Sequence, residues 1–303
     1  MIKTVVIFGG SGFIGGYIVR RLSKLDYRII IPTSSFAKAN KLKIMGNVGQ
    51  ILPISFSSTK YENVIKIING ADYVINLKTI WEEKNNKTYV NNIYNLNKSI
   101  VDSIIELKIK KYVYFSGIGT NIKDSSKRTI SILNSEKYIE KFLCNYSIIK
   151  PSIVIGDESK FIKKLLNIFR FSFFIPIFGK GDAKFQPTFV DDIALAVEKI
   201  ILKKNIYKEV YELGGKKVFS YEEFYKFIIK EIGKKRIIVS IPFIIAKFFV
   251  FFMEKLHIDL LNREQLELFK KDNLVGEKSL TFSDLEINAV DVKQIVRKII
   301  NNN

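Results

Sequence analysis

The segment from Thr4 to Leu25 constrains the fold of this chain more than any other. A short apolar run, Val5–Phe8, precedes a turn rich in glycine, and apolar residues then return at helical spacing. The glycines are Gly9, Gly10, Gly12, Gly15 and Gly16, and the helical apolar positions are Phe13, Ile14, Ile18, Val19 and Leu22. This pattern predicts a strand, a glycine turn and a helix, the unit from which parallel α/β sheets are built.

The glycine turn also predicts a ligand. Glycine lets the backbone approach a pyrophosphate closely, and the helix that follows offers free N–H groups and the positive end of its dipole. The spacing of Gly9, Gly12 and Gly15 is G-x-x-G-x-x-G, which differs from the G-x-G-x-x-G of many dehydrogenases. We therefore predict a nicotinamide dinucleotide at this turn. The residues that would hold its diphosphate are Gly9, Gly10, Ser11, Gly12, Phe13, Ile14 and Gly15.

The end of the second predicted strand, Tyr27–Pro32, bears on which nucleotide is bound. At this place NAD enzymes carry an acid for the ribose 2′-hydroxyl. Here no Asp or Glu occurs between Asp26 and Glu62, whereas several lysines do. Because a carboxylate would repel a 2′-phosphate, its absence favours NADP(H) over NAD(H). The residues predicted to contact the ribose are Thr33, Ser34 and Ser35.

Three later strands predict further ligand contacts. The fourth predicted strand is Ala71–Leu77, the fifth is Lys111–Gly119 and the sixth is Tyr146–Gly156. Parallel strands bring their carboxyl ends to one edge of the sheet, where ligands of such sheets bind. The candidate cofactor contacts at these ends are Asn76, Leu77, Lys78, Ser116, Lys150, Pro151 and Ser152.

Composition excludes several classes of protein. A hydrophobic fraction of 47% over 303 residues predicts a folded globular chain. The single cysteine, Cys144, excludes a disulfide framework, and the single histidine, His257, argues against a histidine-based zinc site or a Ser-His-Asp triad. We predict no metal. Because Met1–Lys3 runs directly into the first strand, no signal peptide is visible and we expect a cytoplasmic protein.

The formal net charge of +19 raises the question of a nucleic-acid partner. The lysines are spread along the chain, and no zinc finger, helix-turn-helix or RNA-binding aromatic motif accompanies them. We therefore predict no nucleic-acid function. Instead, we expect the basic surface to face anionic lipid or an acidic partner protein.

The glycine spacing resembles that of the extended and atypical short-chain dehydrogenase/reductase superfamily. The resemblance implies an α/β fold, a Rossmann-type doubly wound parallel sheet of seven strands with a small, mostly helical carboxy-terminal lobe. The implied organisation is an NAD(P)-binding core over residues 1–156, an insertion toward the substrate lobe over 157–183, a return to the core over 184–215 and the helical lobe over 216–303.

Enzymes of this superfamily combine a strand-end serine with a Tyr-x-x-x-Lys pair. The resemblance gives Ser116 the role of the serine, which polarises the reacting hydroxyl or carbonyl group. If Glu136 matches the glutamate that commonly follows the lysine, Arg128 occupies the tyrosine position and Ile132 the lysine position. Arginine does not donate protons near neutral pH, and isoleucine has no charge to lower a pKa. We therefore predict that the catalytic pair is lost and do not expect catalysis by this machinery.

Further segments resemble one branch of the atypical proteins in this superfamily. They include FSGIG (115–119), KPSIVIG (150–156), FQPTFVDDIA (185–194), YELGG (211–215) and KDNLV (271–275). The branch comprises the nucleotide-binding accessory subunit of respiratory complex I (NADH:ubiquinone oxidoreductase) and its bacterial relatives. The resemblance implies a structural NADP(H) and, as partners, subunits of a membrane respiratory complex or the membrane surface. The implied location is peripheral, on the cytoplasmic face of the inner membrane.

Two other functions stay open. One is an active NADP(H)-dependent reductase or epimerase acting on a sugar nucleotide or a quinone-like substrate, to which Ser116 and Lys150 would contribute with a relocated acid. The other is a sensor of the NADP(H) ratio that binds a regulatory partner. Activity that depends on Ser116 would indicate the enzyme, whereas partner affinity that changes with NADPH would indicate the sensor.

The most hydrophobic stretch is Ile237–Met253, which we predict to be a helix of the carboxy-terminal lobe. It is too short for a membrane span, and Pro242 and Lys247 interrupt it. Three interpretations compete: a helix buried in the lobe, an interfacial helix on a membrane surface, and a docking face for a partner subunit.

Overall fold

A computed structural model describes residues 2–83, 87–120, 126–204, 207–255 and 262–302. The single histidine, His257, lies outside the described residues. The chain divides into two compact units. The first unit comprises residues 1–151, 190–212 and 278–287, and the second comprises 152–189, 213–277 and 288–303.

Strands and helices alternate along the first half of the chain. The strands are β1 (Thr4–Phe8), β2 (Arg28–Thr33), β3 (Ile51–Ser55), β4 (Tyr73–Asn76), β5 (Lys111–Phe115), β6 (Tyr146–Pro151), β7 (Val154–Ile155), β8 (Phe174–Phe178), β9 (Lys184–Phe185), β10 (Thr188–Phe189), β11 (Glu209–Leu213), β12 (Phe219–Ser220) and β13 (Ile237–Ile241). The α-helices are α1 (Phe13–Ser23), α2 (Phe36–Asn40), α3 (Tyr61–Ile68), α4 (Leu96–Leu107), α5 (Lys127–Phe142), α6 (Lys160–Phe171), α7 (Val190–Leu202), α8 (Tyr221–Ile232), α9 (Phe243–Lys255), α10 (Arg263–Leu268) and α11 (Val292–Asn301).

The first unit is built on a seven-stranded sheet in the order β11-β6-β5-β4-β1-β2-β3. From β3 to β6 each neighbouring pair of strands is parallel. The chain reverses its direction of travel across the sheet between β1 and β4, and ligands of open α/β sheets bind at such a switch point. The predicted Rossmann-type doubly wound fold is confirmed.

Burial explains why the sheet could be recognised in the sequence. All of Val5–Phe8 in β1 is fully buried, as expected for a central parallel strand with helices on both faces. Helix α1 packs against α7, where the Arg21 guanidinium donates to Asp191 Oδ2 at 2.7 Å and to Glu198 Oε2 at 3.2 Å. Acidic residues in the first turn of α7 also complement its helix dipole.

In the described part of the second unit, two-stranded ladders pair β7 with β10, β9 with β12 and β8 with β13. Its core combines aliphatic with aromatic side chains, and the rings of Phe185 and Tyr221 stack there with centroids 4.6 Å apart. A capping box begins α8. Ser220 accepts a hydrogen bond from the Glu223 backbone N–H, and the Glu223 carboxylate accepts one from the Ser220 backbone N–H.

The prediction of one helix over Ile237–Met253 was wrong. Residues Ile237–Ile241 form β13, which pairs in parallel with β8, and α9 begins only after Pro242. The β-branched composition of Ile-Ile-Val-Ser-Ile favours a strand, and a proline cannot continue a backbone ladder. The same proline suits the start of a helix, because the first N–H groups of a helix have no intrahelical partner.

Helix α9 is apolar on nearly every side. Of its side chains that the structure describes, Ala246 and Val250 are buried, whereas Ile244 is 84% exposed and Phe248 is 61% exposed. The interpretation of Ile237–Met253 as a helix buried in the lobe is therefore wrong for most of the α9 surface, which is exposed. Within the ranges that the structure describes, no helix is long and apolar enough to cross a membrane.

Candidate functional site

The glycine turn after β1 folds so tightly that side chains are excluded from it. Gly9 has a φ of +83°, and a Cβ atom there would lie 3.2 Å from the Leu77 carbonyl carbon. A Cβ atom on Gly15 would lie 2.4 Å from the Gly9 carbonyl oxygen and 2.6 Å from the Gly10 Cα. A Cβ atom on Gly12 would lie 3.1 Å from the Gly9 carbonyl oxygen, which is closer than an ordinary van der Waals contact. The turn is thus a backbone cradle that a Cβ atom would fill.

The amino-terminus of α1 opens onto this cradle. Gly12 is the N-cap residue, it is exposed, and no side chain caps the helix. The first turn of α1 contains no acidic residue. Its backbone N–H groups and the positive end of its dipole are therefore available to an anion. The donor set of Gly12, Phe13 and Ile14 fits the diphosphate of a dinucleotide.

The end of β2 lies beside the turn. The Ser11 and Thr33 hydroxyl oxygens are 3.4 Å apart, and Thr33 is buried. The Ser35 backbone N–H donates to Thr33 Oγ1 at 3.0 Å, which fixes the first residues after the strand. Ser34 is exposed, and so is Lys38 on α2. Three hydroxyl groups and a nearby lysine on α2 therefore occupy the region predicted to contact the ribose.

A buried hydrogen-bond chain supports the end of β4. The Asn76 side chain accepts from the Lys78 backbone N–H at 3.0 Å and donates to the Tyr112 hydroxyl at 3.2 Å. Tyr112 in turn donates to Asn97 Oδ1 at 2.6 Å, and Asn97 donates to the Ser135 carbonyl oxygen at 3.2 Å. Burial raises the pKa of Tyr112 well above its ordinary value, so its hydroxyl stays a donor. The chain holds the backbone after β4 in one conformation.

Lys78 brings a cation to the carboxyl edge of the sheet. Its backbone nitrogen would lie 3.3 Å from a Cβ atom on Gly9, and its ammonium group is 6.0 Å from the centre of the Phe56 ring. Burial, together with the like charge of Lys87, lowers the pKa of Lys78. Within the described ranges, no carboxylate lies at ion-pair distance from Lys78. A half-buried cation without a carboxylate suits an anionic ligand.

Glu136 of α5 joins Ser116, which directly follows β5, to Lys150, which lies near the end of β6. Lys150 Nζ lies 2.7 Å from Glu136 Oε2, and the Ser116 hydroxyl donates to Glu136 Oε1. The exposed fractions of the Glu136 and Lys150 side chains are 7% and 16%. Sequence reasoning used Glu136 only to align α5, and it missed this role because the contact joins separate elements. The charge of Lys150 is therefore committed to a buried ion pair.

Arg128 does not face the sheet as a proton donor. Its Nε–H donates to the Ile80 carbonyl oxygen at 3.0 Å, and its Nη2 donates to the Thr79 hydroxyl at 3.2 Å. The guanidinium carbon lies 3.9 Å from the centre of the Trp81 ring, a short cation–π distance. Arg128 thus ties α5 to the segment that follows β4.

Ile132, at the predicted lysine position, is only 4% exposed. It packs in a small apolar cluster with Tyr89 and Ile93, against which Ile80 also lies. Neither Arg128 nor Ile132 supplies the chemistry of a Tyr/Lys pair, and both make structural contacts instead.

The last two predicted contacts, Pro151 and Ser152, fall in different units. The Pro151 carbonyl oxygen accepts from the Ile118 backbone N–H at 3.2 Å, which closes the segment after β5. In the second unit the Ser152 hydroxyl donates to Asn273 Oδ1 at 2.6 Å and accepts from the Gln186 backbone N–H at 3.3 Å. The Ser152 hydroxyl is therefore engaged within its own unit, and its contact with a cofactor stays a prediction.

Comparison with known proteins adds a family and a fold. The sequence profile of the NmrA-like family matches residues 1–277. The mitochondrial NADH dehydrogenase (ubiquinone) 1 alpha subcomplex subunit 9 of Arabidopsis thaliana is 27% identical over 293 residues, which cover 93% of this chain and 73% of that relative. The protein of the same name from Dictyostelium discoideum is 26% identical over 303 residues, covering 95% and 81%. These relatives confirm the predicted resemblance.

Solved structures agree on the fold. Triphenylmethane reductase of a Citrobacter species superposes with a TM-score of 0.78 at 15% identity, covering 98% of this chain and 99% of that one. The same reductase complexed with NADP(H) gives 0.74 at 13% identity, covering 97% and 99%. The UDP-glucuronic acid 4-epimerase of Bacillus cereus, solved with UDP-glucuronic acid and NAD, gives 0.73 at 17% identity and covers 99% of each chain. The fold is thus one that binds NAD(P) in other proteins.

Proposed function

This chain belongs to the NmrA-like family, and from that premise we propose that it is a nucleotide-binding accessory or assembly subunit of a respiratory NADH dehydrogenase (complex I). Its nicotinamide dinucleotide serves as a structural cofactor. The observation that carries the proposal is a combination. The backbone cradle for a diphosphate is intact, whereas Arg128 and Ile132, which the resemblance assigns to the tyrosine and lysine positions, make structural contacts.

The proposed nucleotide is NADP(H). Support comes from the end of β2, where Thr33, Ser34 and Ser35 replace the acid that would select NAD. Lys38, on the helix that begins directly after them, supplies positive charge toward a 2′-phosphate. Lys78 offers a second cation on the same edge of the sheet, toward the ribose or the diphosphate.

The proposed partner is the membrane part of the complex or the membrane surface beside it. In the second unit, α9, the end of α6 and the start of β8 carry a set of exposed apolar residues that we term the phenylalanine-rich surface. Its members are Phe171, Phe173, Phe174, Ile244, Ile245, Phe248, Phe249, Phe251 and Phe252. An exposed apolar set of this size marks an interaction site.

Basic residues flank the phenylalanine-rich surface. Arg236 directly precedes β13, and its guanidinium donates to the carbonyl oxygens of Phe169 at 2.7 Å and Arg170 at 2.8 Å, at the end of α6. Lys234 and Lys235 precede it and are exposed. Apolar rings beside cations suit the interfacial region of an anionic membrane. We propose peripheral attachment on the cytoplasmic face of an inner membrane; the relatives named above are mitochondrial proteins.

The test is the content of the natively purified protein. The protein is denatured, the released nucleotide is identified by mass spectrometry, and nicotinamide turnover is assayed on a parallel sample. We expect stoichiometric NADP(H), no turnover with added carbonyl substrates, and respiratory NADH dehydrogenase subunits in the membrane fraction that co-purifies. Readily exchanged nucleotide with hydride transfer would overturn the structural role.

One observation favours a second function, the NADP(H)-dependent reductase or epimerase. Glu136 bonds to both Ser116 and Lys150 at the carboxyl edge of the sheet, and a carboxylate in this place is a possible relocated acid or base. Replacement of Ser116 by Ala separates the two functions. Loss of turnover without loss of bound nucleotide indicates the enzyme, whereas the accessory subunit has no turnover to lose.

A further inference from the structure

A cavity lies in the first unit, at the edge of the sheet opposite the glycine turn. Its lining includes Lys3, which precedes β1, and Tyr73 and Lys111, which begin β4 and β5. Its volume is about 1020 Å³, close to the upper end of what small-molecule sites enclose. We name it the lysine cavity after the residue type that dominates its lining: Lys3, Lys108, Lys110, Lys111, Lys203 and Lys204.

Some of these lysines already have partners. Lys110 Nζ lies 2.7 Å from Asp72 Oδ1, and Lys203 Nζ lies 3.1 Å from Glu209 Oε1. Lys111 Nζ donates to the Ile201 carbonyl oxygen at 2.9 Å near the end of α7, and it also donates to the Lys203 carbonyl oxygen. The ammonium groups of these three side chains therefore already have partners within the protein.

The other three, Lys3, Lys108 and Lys204, are exposed at the cavity. In the part of the chain that the structure describes, no carboxylate forms an ion pair with any of them. Cations near the carboxyl ends of α4 and α7 complement the helix dipoles, and this explains the position of Lys108 and that of Lys204, each taken alone. Lys3, which precedes a strand, lies over the Tyr73 ring, and hydrogen bonding to Tyr73 raises the pKa of its ammonium group. None of these contacts accounts for the gathering of all six lysines around one volume.

The floor of the cavity adds neutral donors. Tyr27 and Tyr73 are buried with their rings edge to face, 5.9 Å apart, and Lys3 and Lys111 each lie 5.7 Å from the centre of the Tyr73 ring. Burial raises the pKa of Tyr27, so that its hydroxyl keeps its proton. Burial and the like charge of Lys3 lower the pKa of Lys111. An anion in the cavity would relieve this repulsion among the lysines.

We propose that the lysine cavity binds a multiply phosphorylated ligand. Ammonium groups converge on it from two strand starts and two helix ends, and no acidic residue is among its described lining. Phosphate oxygens accept from several ammonium groups at once, and the Tyr27 phenol is a suitable neutral donor to them. Both a soluble polyphosphate and a phosphorylated lipid headgroup have this chemistry. The site is separate from the glycine turn, because the two lie at opposite ends of β1.

The test compares two triple variants with the same change in charge. The cavity variant carries Lys3→Gln, Lys108→Gln and Lys204→Gln, and the control variant carries Lys66→Gln, Lys137→Gln and Lys216→Gln at exposed positions outside the cavity. Melting temperatures establish that both fold. Tripolyphosphate is titrated calorimetrically into each protein in the presence of saturating NADPH. We expect the cavity variant to bind at least about tenfold more weakly than the wild type, since each charge-assisted bond contributes more than a neutral one.

A vesicle arm distinguishes the two sources of phosphate. Phosphatidylcholine vesicles carrying a phosphatidylinositol bisphosphate are compared with vesicles carrying phosphatidylserine at equal total charge. If the cavity variant loses binding of tripolyphosphate alone, the ligand is a soluble polyphosphate. If it loses binding of the bisphosphate vesicles alone, the ligand is a lipid headgroup. If it loses both, the cavity recognises the phosphate groups that the two sources share. Equal weakening by the two variants in both arms, or no binding by the wild type in either, overturns the proposal.

Discussion

At the scale of single residues, Gly15 is the tightest point of the glycine turn. We expect Gly15→Ala to expel the bound nucleotide, because its Cβ would lie 2.4 Å from the Gly9 oxygen, where no side chain can yield. The strain should lower the free energy of unfolding by about 1–3 kcal/mol. Gly16→Ala is the matched control, since its Cβ meets only Leu42 at 3.7 Å. Released nucleotide and thermal unfolding are measured for both variants. Equal nucleotide content in the two would contradict the cradle.

We expect the charge of Lys78 to destabilise the nucleotide-free protein and to strengthen nucleotide binding. Burial lowers its pKa from the ordinary 10.5, so the nucleotide-free fold bears a cost for keeping it charged. We expect Lys78→Met to raise the melting temperature of the free protein by about 2–4 °C, the shift that one kcal/mol gives in a chain of this size, and to weaken nucleotide binding. The gain should be full below the lowered pKa and vanish above 10.5, where Lys78 is neutral in both states.

Exposed Lys66 supplies the control for that experiment. Lys66→Met should leave both the melting temperature and the nucleotide affinity unchanged, because its charge is solvated. A lower melting temperature of the free Lys78→Met protein would show that the Lys78 ammonium group stabilises the fold, and the assignment of a ligand anion to it would fail.

Some residues of the candidate site could be predicted from the sequence, and others could not. The glycines are local features, because two equal spacings between Gly9, Gly12 and Gly15 and a following helix define them without knowledge of the rest of the chain. Glu136 and Asn97 gain their roles only by packing against β5 and β6, which depends on the crossing of α4 and α5 over the sheet. No periodicity encodes such a contact. The sequence therefore identified Ser116 and Lys150 but not the carboxylate that joins them.

At the scale of elements, the buried strands of the sheet were predictable because they are short runs rich in β-branched and aromatic residues. The error over Ile237–Met253 has a physical cause. A continuous apolar run has no polar positions to set its period, so strand and helix cannot be told apart within it. Pro242 was the local signal that marked the boundary, and its meaning is clear once β13 is seen to pair with β8.

The exposed aromatic side chains of α9 predict that this helix is needed for association with membranes. We expect Phe248→Glu with Phe252→Glu to abolish association with anionic vesicles and with membranes while leaving the fold intact, because these rings contact each other at 4.7 Å and are 61% and 44% exposed. Co-sedimentation measures the association, and circular dichroism verifies the fold. The control is Ile44→Glu, an apolar residue 88% exposed outside the phenylalanine-rich surface. Loss of co-sedimentation by both variants would point to general charge rather than to α9.

At the scale of the whole molecule, the net charge of +19 acts over the full surface. Raising the salt from about 0.1 M to 1 M shortens the Debye length from about 10 Å to 3 Å. We expect this to weaken vesicle association at least tenfold and to leave the tightly held nucleotide in place. Sedimentation and nucleotide content are read from the same samples. Nucleotide release in step with vesicle release would show that one electrostatic contact supports both.

The surroundings of Arg128 and Ile132 also bear on how this protein could change its activity. A lysine restored at position 132 would be placed among Tyr89 and Ile93 in an apolar cluster, and a tyrosine restored at position 128 would give up the contact with Trp81. Each single reversion is therefore costly before the other brings any benefit. If the pair has been lost, as we propose, a mutational path back to hydride transfer must first rebuild these neighbours, and one substitution alone would not restore the chemistry.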